Sequence, residues 1–511
     1  MGMIRHSSSP YRPVVAVLAA LAVLLTSFDV IPMSAAPSSY AVQQRRGRSA
    51  PRSPRAKRPR QTVKKKSAKR PSTKRSGKQR RRARRVRVRT TPMTALRPIL
   101  ERELGQGIRY AEYRSNGSVP VDVHVLTMDR SVVGNAVRIV KGEDRADGLE
   151  RLGEMYSRYD STSGHTVFGM VNGNFWRAVR NTSIGPCVID GEVVELNSYK
   201  KWSSAFFDVG NTLYIDTFRI SGRIEWKGRS FMISSVNRRI DSGIVVYNSY
   251  AGGTVPSVHE RELRSAFEEA LKETSMVSDD STEIELTRER LKEEISQAKR
   301  EADVEFPMVK VGVRYLRSAA LNAPIICQVL SIDSGTVNVP LRGAVISFPR
   351  AAFVSTLPRP GDTISIEYST NLHSSVRFMN AVSGTPRLVR NGKARHEAFD
   401  EGSTGRRFIT HNLARTAIGT DRNNTRIVLA AIEPSQSTQG TMGATLQQTA
   451  DVMRLLGCHD AMNLDGGGSS GMVVQRDHVF FDGIDPATRR VGVGLAIVKL
   501  SHVLRGPSTS P

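Results

Sequence analysis

From residue 119 onward the chain is a succession of short apolar runs broken by Gly, Asn and Asp. The alternation is clearest at 121–126, where Asp122 and His124 sit between valines. A period of two puts alternate side chains on one face of an extended strand. The same reading predicts strands at 166–171, 205–209, 213–215, 243–247, 325–332, 344–348, 363–368, 426–432, 471–474 and 493–498. Asn172-Gly173, Asp190-Gly191, Asn391-Gly392 and Asp482-Gly483 supply turns between them. Helical spacing is confined to two stretches. At 256–305, Leu263, Phe267 and Leu271 recur every four residues, then Ile284, Leu291, Ile295 and Ala298 follow. The polar 277–281 interrupts them, which predicts a helical hairpin inserted in a strand-rich body. At 444–456, Leu446, Val452, Leu455 and Leu456 gather on one face before Gly457 ends the helix. The expected fold class is α+β: a strand-rich mixed sheet body, a few packing helices and the inserted hairpin.

The first ninety residues follow other rules. Arg5 and Arg12 precede twelve apolar residues at 14–25, and the small residues Ala35, Ala36 and Ala41 follow. Twelve is short of the roughly 18 a membrane span needs and fits an export signal cleaved after Ala41. An uncleaved short anchor is the alternative. Residues 43–89 hold 23 Lys and Arg and no Asp or Glu. Such a run is expected to be a disordered basic linker. It is suited to an anionic envelope surface or acidic glycan rather than to nucleic acid. The formal charge of +27 is made there; the remainder carries 52 basic against 48 acidic residues. The expected organisation is signal 1–41, linker 42–95, main domain 110–500 with the 256–305 insertion, and tail 501–511. The mature protein is expected to be periplasmic, cell-surface or secreted, without a stable transmembrane span.

Three cysteines, Cys187, Cys327 and Cys458, exclude a disulfide scaffold and a four-cysteine zinc site. Cys187 and Cys458 are either a pair or buried thiols. No histidine shows metal-ligand spacing; His459 is notable only for lying six residues before Asp465.

Three segments concentrate chemistry. The first is Asn463-Leu464-Asp465-Gly466-Gly467-Gly468-Ser469-Ser470. Consecutive glycines let backbone N–H groups approach an oxyanion, two hydroxyls add donors, and Asp465 stands at a strand end. A tight turn with a capping Asp is the bland alternative. The Gly467–Gly471 stretch also spells GxSxG, but a strand rather than a helix is expected after it, which argues against a serine-hydrolase elbow. The second is Asn172-Gly173-Asn174-Phe175-Trp176, amides and aromatics suited to a sugar, or else a hairpin with core rings. The third is Arg415-Thr416 ahead of an apolar strand ending in Glu433, where Arg415 is either an anion ligand or a structural salt bridge.

In this order, with Ser383-Gly384-Thr385-Pro386-Arg387 and Ala414-Arg415-Thr416-Ala417-Ile418-Gly419 between them, these segments resemble the phosphodiester glycosidase family. The resemblance spans roughly 120–500. It departs at Asn174 and Trp176, at Glu433-Pro434 where the family has Asp-Gly, at Gln448 where it has Glu, and at Val493 where it has Asn.

The resemblance implies an exported glycosidase that splits a sugar-1-phosphodiester into free sugar and phosphate-R, in envelope or exopolysaccharide metabolism. It implies Asp465 as catalytic carboxylate, with Glu433 as the second and Asp190 and Glu195 in reserve. Arg415, the Gly466, Gly467 and Gly468 amides and Ser469 would hold the phosphate, Asn172, Asn174 and Trp176 would hold the sugar, and Thr416, Asn463 and Ser470 would also bind substrate. It implies no particular cofactor, and a divalent cation such as Ca²⁺ on Asp465 is an option. The alternatives are a non-catalytic glycan- or phosphate-binding envelope protein on the same fold, and an adhesion or scaffold protein working through its basic arm.

Overall fold

The computed structural model describes residues 93–116, 120–177, 180–240, 243–255, 308–333, 337–353, 356–434, 443–475, 477–481 and 489–501. All lie in the unit Arg85–Pro511. The export signal, nearly all of the basic linker, the helical insertion and the tail beyond Ser501 lie outside the described residues. No described helix is long and apolar enough to cross a membrane.

The fold is built around an eight-stranded sheet. Its order is Leu96–Gly105, Ile108–Ser115, Val121–Asp129, Arg426–Pro434, Arg415–Thr420, Asp460–Asn463, Arg387–Arg390 and Lys393–Ala394. The near-continuous apolar run of Arg426–Pro434 puts it at the centre, because both faces must be covered. Ile427, Leu429 and Ala431 enter one core, and Val428, Ala430 and Ile432 enter the other. The second core is closed by helix Leu446–Leu455 and by Phe175, Trp202 and Phe408. The first is closed by two five-stranded sheets. One of these carries Asp477–Phe481, Gly471–Val474, Thr166–Asn172, Val493–Lys499 and Asn135–Lys141. The other carries Leu213–Asp216, Ser204–Asp208, Phe378–Ser383, Cys187–Ile189 and Glu192–Glu195.

Each predicted strand is present within a few residues of its expected bounds. Three features were not expected. Pairing is antiparallel rather than mixed throughout the described sheets, except where Arg229–Val236 runs parallel to Ile244–Tyr247. Helix Leu152–Thr162 packs Leu152, Met155 and Tyr156 on the outer face of the sheet that holds Val140 and Met170. Its few apolar positions sit among seven polar or small ones, too sparse a stripe to read alone. A seven-stranded closed barrel occupies Ile220–Thr370 territory, leaving and re-entering the second five-stranded sheet between Leu213–Asp216 and Phe378–Ser383. Its apolar interior is continuous with the outer face of that sheet through Val188, Val193 and Phe206.

Helix Leu446–Leu455 is fixed at its start by a capping box. The Thr445 hydroxyl accepts from Gln448 N at 3.2 Å, and Gln448 Oε1 accepts from Thr445 N at 3.0 Å. This explains Gln448 at a position where the family has Glu: either side chain serves the box. Thr445→Ala is expected to lower stability by about 1 kcal/mol. Urea unfolding of the two proteins checks it; an unchanged midpoint would deny the cap its role.

Candidate active site

The three sequence segments meet where strands from two sheets end side by side. Asn172, at the end of Thr166–Asn172 and fully buried, is the junction. Its Nδ2 donates to the Asp465 carbonyl at 2.7 Å. Its Oδ1 accepts from the Thr416 hydroxyl at 2.6 Å and from Gly471 N at 3.2 Å. Backbone bonds complete the join: Asp465 N to Gly173 O at 2.9 Å, Leu464 N to Thr416 O at 2.8 Å, and Gly467 N to Ala414 O at 2.9 Å. Gly467 opens a single 3-10 turn, Gly467–Ser469, at φ 56, a left-handed conformation that favours glycine. Strand Gly471–Val474 follows, so the GxSxG spelling is no nucleophile elbow.

Asn172 and Thr416, expected beside a ligand, are therefore ties between segments. Asn463 belongs with them: its Nδ2 donates to Thr385 O at 2.8 Å and Leu464 O at 2.6 Å. The Ser383–Arg387 stretch is likewise structural. A Cβ on Gly384 would sit 2.2 Å from Asn463 O, so the two backbones touch. Thr385 and Ser203 hydroxyls donate to the buried Glu401 carboxylate at 2.8 and 2.6 Å.

Arg415 is a correction to the sequence reading. Strand parity points it away from Thr416, into the core closed by Phe408 and Ala444. It is fully buried, with Nε donating to Ala444 O at 2.9 Å and Nη2 to Phe408 O at 2.7 Å. Its guanidinium lies 5.2 Å from the Phe408 ring centroid. It braces the backbone carbonyls of Ala444, Phe408 and His411. Glu433 also departs from its expected role. Its Oε1 is 2.8 Å from His124 Nε2, and His124 Nδ1 lies 2.8 Å from the Tyr110 hydroxyl. Tyr110 donates in turn to Glu112 at 2.6 Å. Asp190, in reserve, sits on an exposed turn beside Arg138 at 3.6 Å. Glu195 is buried, and Asn197 donates to it from N at 2.8 Å; burial raises its carboxyl above the ordinary range.

Around Asp465 the geometry is different. The carboxylate is buried, accepts from Gly466 N at 2.9 Å and hydrogen-bonds Ser469. Burial lifts its pKa to about 6, against the opposing pull of Arg489, Ser469 and Gly466 N. Arg489, which the sequence reading passed over, donates from Nη2 to Ser469 Oγ at 3.3 Å. Its guanidinium stands 5.7 Å from the Trp176 ring centroid. Burial lowers its pKa while Asp465 raises it. Three buried polar atoms here have no partner among the described residues: Arg489 Nε, Ser470 Oγ and Asn174 Oδ1. Buried polar groups are normally paired, so these three atoms keep hydrogen-bonding capacity. The only sequence signal for Arg489 was its place just before the last strand.

The donor set does not fit a divalent cation. Among the described residues Asp465 is the one carboxylate bonded to the loop, and a guanidinium faces it. Among the described residues no group of three His, Cys, Asp or Glu could hold a metal. The cysteines are three separate buried thiols, so Cys187 and Cys458 are not bridged. His459 pairs with Asp460 at 2.8 Å.

Residues 332–498 match the sequence model of the phosphodiester glycosidase family, and the chain resembles that family. No curated protein matches. Among solved structures, a hypothetical protein from Synechocystis matches at TM-score 0.53 and 16% identity, covering 80% of this chain and 64% of that one. The two share a fold, and this chain spans less than two thirds of the Synechocystis protein. A candidate exported protein from Burkholderia pseudomallei matches at TM-score 0.49 and 18% identity, covering 75% and 74%. The zebrafish N-acetylglucosamine-1-phosphodiester alpha-N-acetylglucosaminidase catalytic domain, auto-inhibited by its pro-peptide, matches at 0.38 and 11%, covering 79% and 87%.

Two outcomes follow from the burial pattern. Arg415→Met strands buried carbonyls and is expected to cost roughly 3–5 kcal/mol in urea unfolding. A ligand contact would instead leave stability near wild type and raise KM. For Asp465, a folded-state pKa raised from 3.8 to about 6 favours folding fully below 3.8 and loses that contribution as pH rises through 6. Asp465→Asn should therefore be more stable than wild type at pH 8, by about 2–3 kcal/mol, and no more stable below pH 4. Thermal unfolding across pH 4–8 reads this; a variant less stable at pH 8 would contradict it.

Proposed function

We propose that this protein hydrolyses sugar-1-phosphodiesters, releasing free sugar and phosphate-R. The observation that carries the reading is one buried carboxylate, Asp465, sharing Ser469 with the guanidinium of Arg489 against Trp176. The family match over 332–498 supports the same chemistry.

In this reading, Arg489 and the Ser469 and Ser470 hydroxyls receive the phosphate, whose charge grows as the bond from the anomeric carbon to oxygen breaks. Arg489 is preorganised for this by the Trp176 ring on one side and Ser469 on another. Phosphate-R departs as a stable anion, so little protonation of the leaving oxygen is needed. Asp465, ionised above pH 6, faces the carbocation-like sugar as base or nucleophile. Asn174 Oδ1 remains to accept from a sugar hydroxyl. Water supplies the hydroxyl of the free sugar and the proton balance.

We also read the chain as exported on the pattern of residues 1–41, with the basic 43–90 segment held to an anionic envelope surface. A binding protein without turnover is the second reading, favoured by one observation: Glu433 is bonded to His124 rather than to the loop.

A panel of sugar-1-phosphodiesters, with released sugar quantified, tests the proposal. Wild type should turn over at least one member, with kcat/KM rising through pH ~6 as Asp465 ionises. Asp465→Asn should remove turnover, and Arg489→Gln should lower kcat/KM by roughly 10²–10³-fold. Binding of the panel without hydrolysis would move the assignment to the binding protein.

A further inference from the structure

Over 220–370 the full sequence balances its charges, with 19 Lys and Arg against 20 Asp and Glu, 15 of those acids in 256–307 outside the described residues. Within the described residues the positive charge is not evenly spread.

Part of this charge is assembled at one end of the barrel. The turn between Ile220–Trp226 and Arg229–Val236 brings Lys227 and Arg229 to the surface. The 3-10 turn Arg350–Ala352 lies against it: Arg229 Nη2 donates to Ala352 O at 2.9 Å. The 359–362 turn closes the other side, with Lys227 Nζ 3.3 Å and Trp226 Nε1 3.3 Å from Asp362 Oδ2. Lys227, Arg229, Arg350 and Arg359 are all exposed. Asp362 is the acid among them, and it already accepts from Lys227, Trp226 and Arg359 N. The floor is aromatic. Phe353 packs on Trp226, Phe231 and Phe348 with centroids 6.0, 6.2 and 4.8 Å apart. Lys227 stands 5.1 Å from the Trp226 ring and Arg229 4.9 Å from that of Phe231.

We infer that this end of the barrel is a docking surface for an anionic polysaccharide, separate from the Asp465 site. The rings hold the cations in place from below, so less side-chain entropy is lost when a charged chain binds. Several fixed cations with one satisfied counter-ion match a polymer with repeated negative charge. The rings argue against single-stranded nucleic acid: Trp226 and Phe348 are 4% and 1% exposed and offer no face for base stacking. The choice of polysaccharide over other polyanions rests on the proposed function. The barrel would hold the polymer while the Asp465 site acts on a sugar-phosphate unit of it.

Hydrogen exchange on the full chain locates the contact despite the basic segment at 43–89. The probes are dextran sulfate, uncharged dextran of equal length and a 20-nucleotide single-stranded DNA. Dextran sulfate is expected to slow exchange at 227–231 and 350–353, and uncharged dextran to leave it unchanged. In Lys227→Gln/Arg229→Gln/Arg350→Gln/Arg359→Gln that protection should fall by roughly tenfold. Cleavage of a small sugar-1-phosphodiester by this variant should equal wild type, which separates failure of the docking surface from failure of the catalytic reading. Protection confined to 43–90, or equal protection by the DNA, would overturn the inference.

Discussion

Everything at the site depends on one buried amide. Asn172 joins three chain segments that are distant in sequence, using one donor and both acceptor directions of a single side chain. A glycine-rich loop has high conformational entropy when free. Here its two ends are held on Asn172, at the Asp465 carbonyl and the Gly471 amide, and its middle on Ala414 O. The loop is rigid because its supports lie on strands of two sheets that share a core. That rigidity is what allows Asp465 to stay buried, with its pKa lifted to about 6, instead of swinging out to water.

The two arginines nearest the loop illustrate how burial decides a residue's role. Arg415 and Arg489 carry the same fork of donors. Arg415 lies on a central strand and turns into an apolar core, where carbonyls of Phe408 and Ala444 meet it. Arg489 lies just before the last strands, faces a carboxylate and a hydroxyl, and keeps an Nε without a partner among the described residues. The first stabilises the fold; the second has donors to offer. The same logic separates Glu433, engaged by His124, from Asp465.

The barrel extends this arrangement. It leaves after Leu213–Asp216 and returns at Phe378–Ser383, two strands of the five-stranded sheet on either side of Ser204–Asp208, and shares that sheet's outer face as its core. It is therefore firmly mounted on the body that holds the site. Its interior is as apolar as any other core in the molecule.

Sequence alone determined the strand-rich character, because alternation and apolar runs are local properties that no distant contact can reverse. Strand 426–432 and helix 444–456 were legible for that reason, as was the convergence of the Asn172, Arg415 and Asp465 segments through family resemblance. The barrel was not legible, since closure depends on which strands pair, and its antiparallel strands look like any others. Helix Leu152–Thr162 was missed because its burial comes from a neighbouring sheet rather than from a strong stripe of its own. The direction of a side chain was the other thing only tertiary structure could decide. Arg415 and Thr416 are adjacent in a strand and so point to opposite faces, one into a core and one toward Asn172. Arg489 is near neither in sequence, and only the folding of the last strand beside the glycine loop makes it the cation of the site.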